Sequence, residues 1–177
     1  GHRLLADRVH AGALGELRHM RVQWTSKAND DSNWRAASEV GRWWALAGVG
    51  THCLDQVRWF LSPSCGEVTE VRSLIGQEVW AGPHDEMALL ALKFASGATA
   101  EICASVLFDA PRRMEVYGTD GYAVCENTLG ASGGGAVWTD QGSQSFDPAN
   151  PYVGEIEDFV EAIRTNRPPE VSGDEGL

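Results

Sequence analysis

His52 is the side chain of this sequence that is best suited to proton transfer. It follows Gly48 and Gly50 where a helix is predicted, so it can project into a cleft while the backbone stays close to a ligand. Asp55 lies three residues further on, on the same helical face, where its carboxylate can orient the imidazole or raise its basicity. The pair predicts an acid–base centre. The same spacing fits an ion pair between Asp55 and Arg58, with His52 as a packed or capping residue, and both interpretations stay open.

The glycines before His52 partly match the start of a dinucleotide-binding fingerprint. In such a site a strand precedes the glycine turn, a small residue occupies the sixth position, and an acidic residue follows about 20 positions later. Here a predicted helix precedes Gly48, Cys53 occupies the sixth position, and no acidic residue ends a second parallel strand. We therefore expect no nucleotide-binding half in this chain.

Tryptophan is over-represented, with seven residues, and three of them are adjacent to arginine. The pairs are Trp34-Arg35, Arg42-Trp43 and Arg58-Trp59. Tryptophan faces and guanidinium donors suit a polyol or carboxylate ligand. Tryptophan is also a frequent core residue, so the pattern leaves both roles open.

The cysteines predict neither a metal site nor a disulfide framework. They are widely and unequally spaced, without a CxxC or CxxH pair, and each lies in an apolar stretch: Cys53, Cys65, Cys103 and Cys125. We expect reduced core residues and no metal ligands.

Apolar periodicity predicts three helices. The first covers 3–11, and the second covers 38–62 in two pieces that Gly48 and Gly50 divide, with Pro63 as its end. The third follows Pro151. It carries one apolar stripe, formed by Ile156, Phe159, Val160 and Ile163.

Strand-like alternation occurs between the first and second helices and again between the second and third. It predicts a first strand at Leu17–Thr25 and six more at 67–79, 86–94, 98–108, 112–117, 122–126 and 136–139. Two of the connections contain Gly97 or Gly121 at a position typical of a tight hairpin turn. These elements predict an α+β fold in which helices pack on one face of a large, mostly antiparallel sheet.

Length and charge limit the classes of protein. The 25 acidic and 14 basic side chains give a net charge of −11, which repels phosphate backbones, so we expect no nucleic-acid partner. No window approaches the ~20 apolar residues of a membrane span, and Arg3, Asp7 and Arg8 stand where a signal peptide needs an apolar run. We expect a cytoplasmic protein with no membrane partner.

The 177 residues suit one domain, and a start at Gly1, inside a predicted helix, suggests a piece of a longer protein.

The segment 43–61 resembles the glycine-histidine segment of the Gfo/Idh/MocA oxidoreductases, the group of glucose-fructose oxidoreductase and inositol dehydrogenase. It contains the spacing GxHxxDxxRW from Gly50 to Trp59. Other segments follow in the family's order, at 12–17, 34–35, 94–98, 116–121, 159–163 and 167–169. The resemblance covers nearly all of residues 1–177, but only the C-terminal domain of the family, without the N-terminal Rossmann domain.

The resemblance implies a substrate-binding and oligomerising domain of an NAD(P)-dependent oxidoreductase that acts on the CH–OH group of a sugar, polyol or related compound. His52 is implied as the acid–base residue and Asp55 as its orienting partner, with Trp34, Arg35 and Trp44 lining the pocket. NAD or NADP is expected to bind mainly to the missing N-terminal domain. The open face of the sheet is expected to join subunits of a homo-oligomer.

One position departs from the family pattern. The family often has an aspartate four residues before the histidine, and this chain has Gly48 there. Either Asp55 or a group such as Arg42 has taken over the positioning of His52, or the substrate differs, or the reaction is lost. The alternative function is therefore a non-catalytic dimerisation or ligand-binding module.

Overall fold

A single eight-stranded sheet forms the body of the domain. The computed structural model describes residues 1–37 and 42–176. Its strands are β1 (Leu17–Thr25), β2 (Val68–Gly76), β3 (Met87–Phe94), β4 (Thr99–Ser105), β5 (Arg113–Gly118), β6 (Tyr122–Glu126), β7 (Ala136–Thr139) and β8 (Gly142–Gln144). All seven strands predicted from alternation are confirmed, with shifts of a few residues at their ends, and β8 was not predicted.

The spatial order of the strands is β2-β3-β4-β1-β5-β6-β7-β8. All neighbours are antiparallel except β1 and β4, which run parallel with Met20 opposite Ala100 and Trp24 opposite Ala104. The strand that comes first in the chain therefore lies inside the sheet, between two antiparallel meanders. The predicted mostly antiparallel α+β fold is confirmed.

Two helices cover one face of this sheet. They are α1 (His2–His10) and α2 (Thr51–Cys65). Alternate residues of the strands point toward them, so that Met20 and Val22 of β1 are buried while Arg21 between them is exposed. The largest fully buried side chains of the core include Phe60, Leu61, Phe94, Met20, Ile102 and Met114. Burial of each such side chain contributes about 2 kcal/mol relative to its exposure.

The helical segment before His52 differs in detail from its prediction. It does not break at the glycines, because Leu46–Gly50 forms a π-helical turn that runs directly into α2. Pro63 does not end the helix either; it lies in the last turn, and α2 ends at Cys65 followed by Gly66 with a positive φ of 76°. The beginning of the predicted helix, residues 38–41, lies outside the described residues.

The third helix, α3 (Pro151–Thr165), has the predicted apolar stripe but does not bury it. Asn150 caps its first turn and Asn166, in the left-handed region, ends it. Ile156, Phe159 and Ile163 are 62%, 59% and 66% exposed. The structure therefore shows an amphipathic helix whose apolar side faces outward.

Candidate functional site

His52 lies in the first turn of α2, stacked on Trp24 near the end of β1. The two ring centroids are 5.2 Å apart and the rings are inclined by 27°. His52 is exposed and Trp24 is half-buried. A large aromatic support of this kind holds the plane of an imidazole while the ring stays accessible from outside.

Gly50 allows α2 to approach the sheet closely enough for this stack. A Cβ atom at this position would lie 3.4 Å from the Cβ of Ala104 and 2.8 Å from Cδ1 of Leu46. Ala104 is the residue of β4 that pairs with Trp24 across the parallel ladder. The site therefore forms where the carboxyl ends of two parallel strands meet the start of a helix, a common place for ligand sites in proteins with parallel strands.

Asp55 lies one turn further along α2 and is exposed. Its spacing from His52 places both side chains on one face of the helix, as the sequence predicts. Both Asp55 and Arg58 have interaction partners in the structure. The orienting role of Asp55 stays a prediction.

Arg35 brings positive charge to the neighbouring turn of the helix. Its Cδ lies 3.7 Å from the position that a Cβ of Gly48 would occupy. Gly48 and His52 are four residues apart and therefore neighbours on the helix surface. The Arg35 guanidinium stacks on Trp34, with Cζ 4.2 Å from the ring centroid, and Trp34 itself is 60% exposed. The structure thus brings Arg35 and His52 to one region of the surface, with Trp34 beside Arg35.

Trp44, the third predicted pocket residue, is buried. Only 3% of it is exposed, and its ring contacts Trp80 at 5.3 Å and His84 at 5.1 Å between centroids. Trp44 therefore packs inside the domain, under the segment that precedes the π-helical turn. Its ring is not accessible to a ligand in this structure.

A buried acidic loop holds that segment in place. The Asp85 carboxylate accepts hydrogen bonds from the backbone N–H groups of Trp44 and, at 2.8 Å, Leu46. The Asp85 backbone also donates to the carbonyl of Arg42 at 2.8 Å and accepts from Ala45 at 3.3 Å. A carboxylate that accepts from backbone N–H groups at a helix start stabilises that start through both hydrogen bonding and the helix dipole.

Sequence reasoning missed three residues of this region: Trp24, Arg112 and Asp85. The Arg112 guanidinium lies 5.2 Å from the Trp24 ring, on which His52 also stacks, and it donates to the carbonyl of Leu129 at 2.9 Å. Trp24 fits the alternation of an ordinary strand, and no motif around Arg112 indicates a functional role for it. The run of three ionisable residues from His84 to Glu86, directly before an apolar strand, was the one available signal for Asp85.

The opposite face of the sheet carries a second, different cluster. Glu115 of β5 is only 5% exposed. Its carboxylate contacts Arg113 at 2.5 Å and Arg21 at 3.3 Å, and it accepts a hydrogen bond from Tyr117 at 2.6 Å. Burial alone raises the pKa of Glu115, but the hydrogen bonds from Tyr117 and Arg113 and the two positive charges outweigh it, so its pKa is lowered. This cluster lines a groove of about 1010 Å³ on the face that the helices leave open.

The cysteines carry no chemistry of their own. All four thiols are free, as predicted, and three are fully buried. Burial raises the pKa of Cys53 and of Cys125 to about 12, so both stay protonated at neutral pH. In the parts of the chain that the structure describes, no group of His, Cys, Asp and Glu side chains could hold a metal ion, and no helix is long and apolar enough to cross a membrane.

Comparison with known proteins agrees with this arrangement. Residues 2–124 match a family model described as the GFO/IDH/MocA C-terminal domain. Myo-inositol 2-dehydrogenase of Thermotoga maritima is 26% identical over an alignment of 137 positions, which covers 71% of this chain and 40% of that protein.

Solved structures of similar fold cover nearly the whole chain. Aldose-aldose oxidoreductase of Caulobacter crescentus, complexed with glycerol, matches 99% of it with a TM-score of 0.87 and 22% identity, over 53% of the larger protein. The WlbA dehydrogenase of Bordetella pertussis, in complex with NADH and UDP-GlcNAcA, matches 98% of it with a TM-score of 0.76 and 16% identity, over 53% of its own length.

The chain thus spans about half the length of these proteins. The family model covers the chain from α1 through β1 and α2 into β6, including His52 and Trp24. This chain belongs to the GFO/IDH/MocA family of oxidoreductases.

Proposed function

We propose that this chain is the substrate-binding domain of a dehydrogenase that oxidises the CH–OH group of a sugar, polyol or related compound, with His52 as its acid–base residue. The observation that carries the proposal is the accessible His52 ring, held on Trp24 where α2 meets the ends of β1 and β4. Named relatives that act on or bind compounds of this class support it.

The task of His52 follows from the chemistry of alcohol oxidation. A bound NAD or NADP would supply the hydride acceptor for this reaction, and the hydroxyl proton would have to leave to another acceptor. An imidazole can accept it near neutral pH. In this proposal a nitrogen of His52 takes the hydroxyl proton, Asp55 orients the ring, and Trp34 and Arg35 form the adjoining wall, with Trp44 as buried support.

The residues of this chain do not fit the phosphates of a dinucleotide. The glycine segment is helical, with Gly50 at φ −65° and ψ −35°, and it follows a helical turn, so it does not form the strand-to-helix turn of a pyrophosphate cradle. We propose that NAD or NADP is bound by an N-terminal half of the protein, as the length of the relatives suggests.

Replacement of His52 in the full-length protein tests the acid–base role. We expect His52→Gln to lower kcat with a neutral sugar or polyol by about 10²–10⁴-fold, with binding of NADH unchanged. His10→Gln is the matched control, because His10 is an exposed histidine of α1 that contacts the carbonyl of Trp59. Unchanged turnover in His52→Gln would contradict the role and favour the non-catalytic module.

The outward apolar stripe of α3 supports a two-domain protein. Tyr152 and Val153 of the same helix are also 56% and 50% exposed. This is an unusual amount of exposed apolar surface for one short helix. We propose that the N-terminal half covers this stripe.

Replacing Phe159 by Ser in the full-length protein tests this contact. We expect the two halves to separate more readily, seen as faster proteolytic cleavage between them, while the 177-residue chain alone keeps its melting temperature. Equal cleavage rates in the variant and the wild-type protein would contradict the contact.

The open face of the sheet is proposed as a homodimer interface. A second copy suits it because Arg21, Arg113, Glu101 and Glu115 offer both signs of charge, which a two-fold related copy can match. Leu74 and Leu89 add exposed apolar surface to the groove.

Leu74→Glu is expected to shift the dimer to monomer in sedimentation, and a protein that is monomeric at high concentration would contradict the interface. The cytoplasmic location stays a prediction.

A further inference from the structure

Most exposed arginines of the described chain form an ion pair with a carboxylate. On the open sheet face these pairs are Arg21 and Arg113 with Glu101, Glu115 and Glu126, and Arg72 with Glu70. Elsewhere they are Arg3–Glu170, Arg18–Glu16 and Arg167–Asp158. Such pairing is expected in a chain with 25 acidic side chains. Two other exposed arginines have different contacts: Arg8 bonds the Gln144 side chain, and Arg42 lies over the Trp43 ring.

Arg35 and Arg112 lack a carboxylate partner among the described residues. The Arg35 guanidinium lies over the Trp34 ring, and its Cδ is 3.7 Å from the position that a Cβ of Gly48 would occupy. The contacts of Arg112 are with the Trp24 ring and the carbonyl of Leu129. Both side chains are half-buried, so each guanidinium is partly removed from water without a negative charge to balance it.

The two side chains flank His52 on the same part of the surface. Trp24 contacts both the His52 ring and the Arg112 guanidinium, each at 5.2 Å from its centroid. Arg35 reaches the helix turn directly before His52, next to Gly48. Because Gly48 has no side chain, nothing at that position occupies or neutralises the space beside Arg35.

We infer that the substrate is a carboxylated hydroxy compound, such as a uronic or aldonic acid, and that Arg35 binds its carboxylate while Arg112 adds positive charge. This inference rests on the proposed function and specifies its substrate class. A guanidinium held over an aromatic ring can present its N–H groups to a carboxylate, whose geometry suits bidentate binding. The carboxylate takes no part in bond making: the hydroxyl would give its proton to His52, and a bound NAD(P) would supply the acceptor for the carbinol hydride.

Matched pairs of sugars test the inference in the full-length protein. D-glucuronate and D-glucose, and D-galacturonate and D-galactose, differ only by a carboxylate in place of a hydroxymethyl group. We expect the acid of a pair to have a KM at least about tenfold lower than its neutral partner, the effect of one charge-assisted hydrogen-bonded pair. Arg35→Gln is expected to abolish this preference, because it raises KM for the acid at least about tenfold more than KM for the neutral sugar. Arg35→Lys, which keeps the charge without the planar fork, is expected to restore part of it.

Arg18→Gln is the control for loss of one positive charge. Arg18 lies at the opposite end of β1 from Trp24, is exposed, and pairs with Glu16 at 2.6 Å. We expect the ratio of KM for the acid to KM for the neutral sugar to be the same in Arg18→Gln as in the wild-type protein. Equal KM values for both members of each pair, or an unchanged preference in Arg35→Gln, would overturn the inference.

Titration calorimetry with the same sugars separates this inference from the proposed function. Tighter binding of the acids, lost in Arg35→Gln, supports the carboxylate site even if no sugar is oxidised, and then only the function fails. Oxidation of neutral sugars that depends on His52 but shows no acid preference leaves the function in place and overturns the inference. Absence of binding to all four sugars overturns it as well.

Discussion

Gly48 affects which charges surround His52, the proposed acid–base residue. An aspartate at this position would stand between Arg35 and His52 and would partly neutralise the guanidinium. With glycine there, the surface beside His52 keeps the positive charge of Arg35. We therefore expect the absence of this carboxylate to change both the charge of the ligand that the site prefers and the path of the proton.

Gly48→Asp is expected to fold, because the nearest atom to a new Cβ is Cδ of Arg35, at an ordinary contact distance of 3.7 Å. We expect thermal stability to stay equal or to rise slightly, since glycine is unfavourable in a helix interior by about 1 kcal/mol relative to alanine. The preference for carboxylated sugars should fall at least fivefold as the new carboxylate pairs with Arg35. A preference that survives this change would contradict the role of the open space beside Arg35.

Trp24 is expected to matter for catalysis through His52 rather than through contact with cofactor. Trp24→Leu keeps an apolar side chain on β1 but removes the ring on which His52 stacks. We expect kcat to fall about tenfold or more, because the imidazole is no longer held in one plane. Trp59→Leu is the control, since Trp59 packs against Phe60, on another part of α2. An equal loss of kcat in both variants would indicate a general packing defect.

At the scale of elements, the loop from His84 to Glu86 determines where the helix with His52 begins. Each of its three ionisable residues is only 1% exposed. Glu86 fixes the loop itself by accepting a hydrogen bond from the N–H of Val79 at 2.8 Å and another from that of Trp80. Asp85 then fixes the start of the helical segment, so the position of His52 depends on a connection more than 30 residues later in the chain.

Asp85→Ala is therefore expected to lower the free energy of unfolding by about 2–4 kcal/mol, because two buried backbone N–H groups lose a charged acceptor. Asp85→Asn keeps one acceptor oxygen and should lose less. Urea denaturation of both variants measures the difference. A loss below 0.5 kcal/mol in Asp85→Ala would show that the loop does not hold the helix.

The local pattern of the sequence predicted most of these elements and little of their arrangement. Alternation such as that of Leu17–Thr25 reports which side chains face the core, so the strands were predicted. It does not report that Trp24 lies opposite Ala104, 80 residues away, because strand pairing depends on the whole fold. His52, Arg35 and Trp34 were accessible to sequence reasoning. For Trp44 the sequence left a core role and a pocket role open. The burial of the His84–Glu86 loop was not accessible, because ionisable residues usually lie at the surface.

At the scale of the whole molecule, Glu115 ties the stability of the sheet to pH. Its pKa in the folded protein lies below its ordinary value of 4.5. The stabilising contribution of its contacts is therefore fully present above about pH 4.5 and is lost as the pH falls through the folded pKa. At pH 7 we expect the free energy of unfolding of Glu115→Gln to be about 1–2 kcal/mol lower than that of the wild-type protein. On acidification below pH 4.5 we expect the wild-type protein to lose more stability than the variant. Parallel acid unfolding curves for the two proteins would contradict this role.

The position of β1 between the two meanders also has a consequence for how the chain acquires its structure. Arg21 of β1 faces Glu101, 80 residues later, and Glu115, 94 residues later. The first strand of this domain to be synthesised therefore has no partner until most of the domain has followed it. Bringing β1 together with β4 and β5 costs the loop-closure entropy of contacts that are distant in sequence. Folding should be limited by the docking of β1, after the β2–β4 and β5–β8 meanders have formed on their own. Substitutions in β1 should therefore slow refolding more than equally destabilising substitutions in β7.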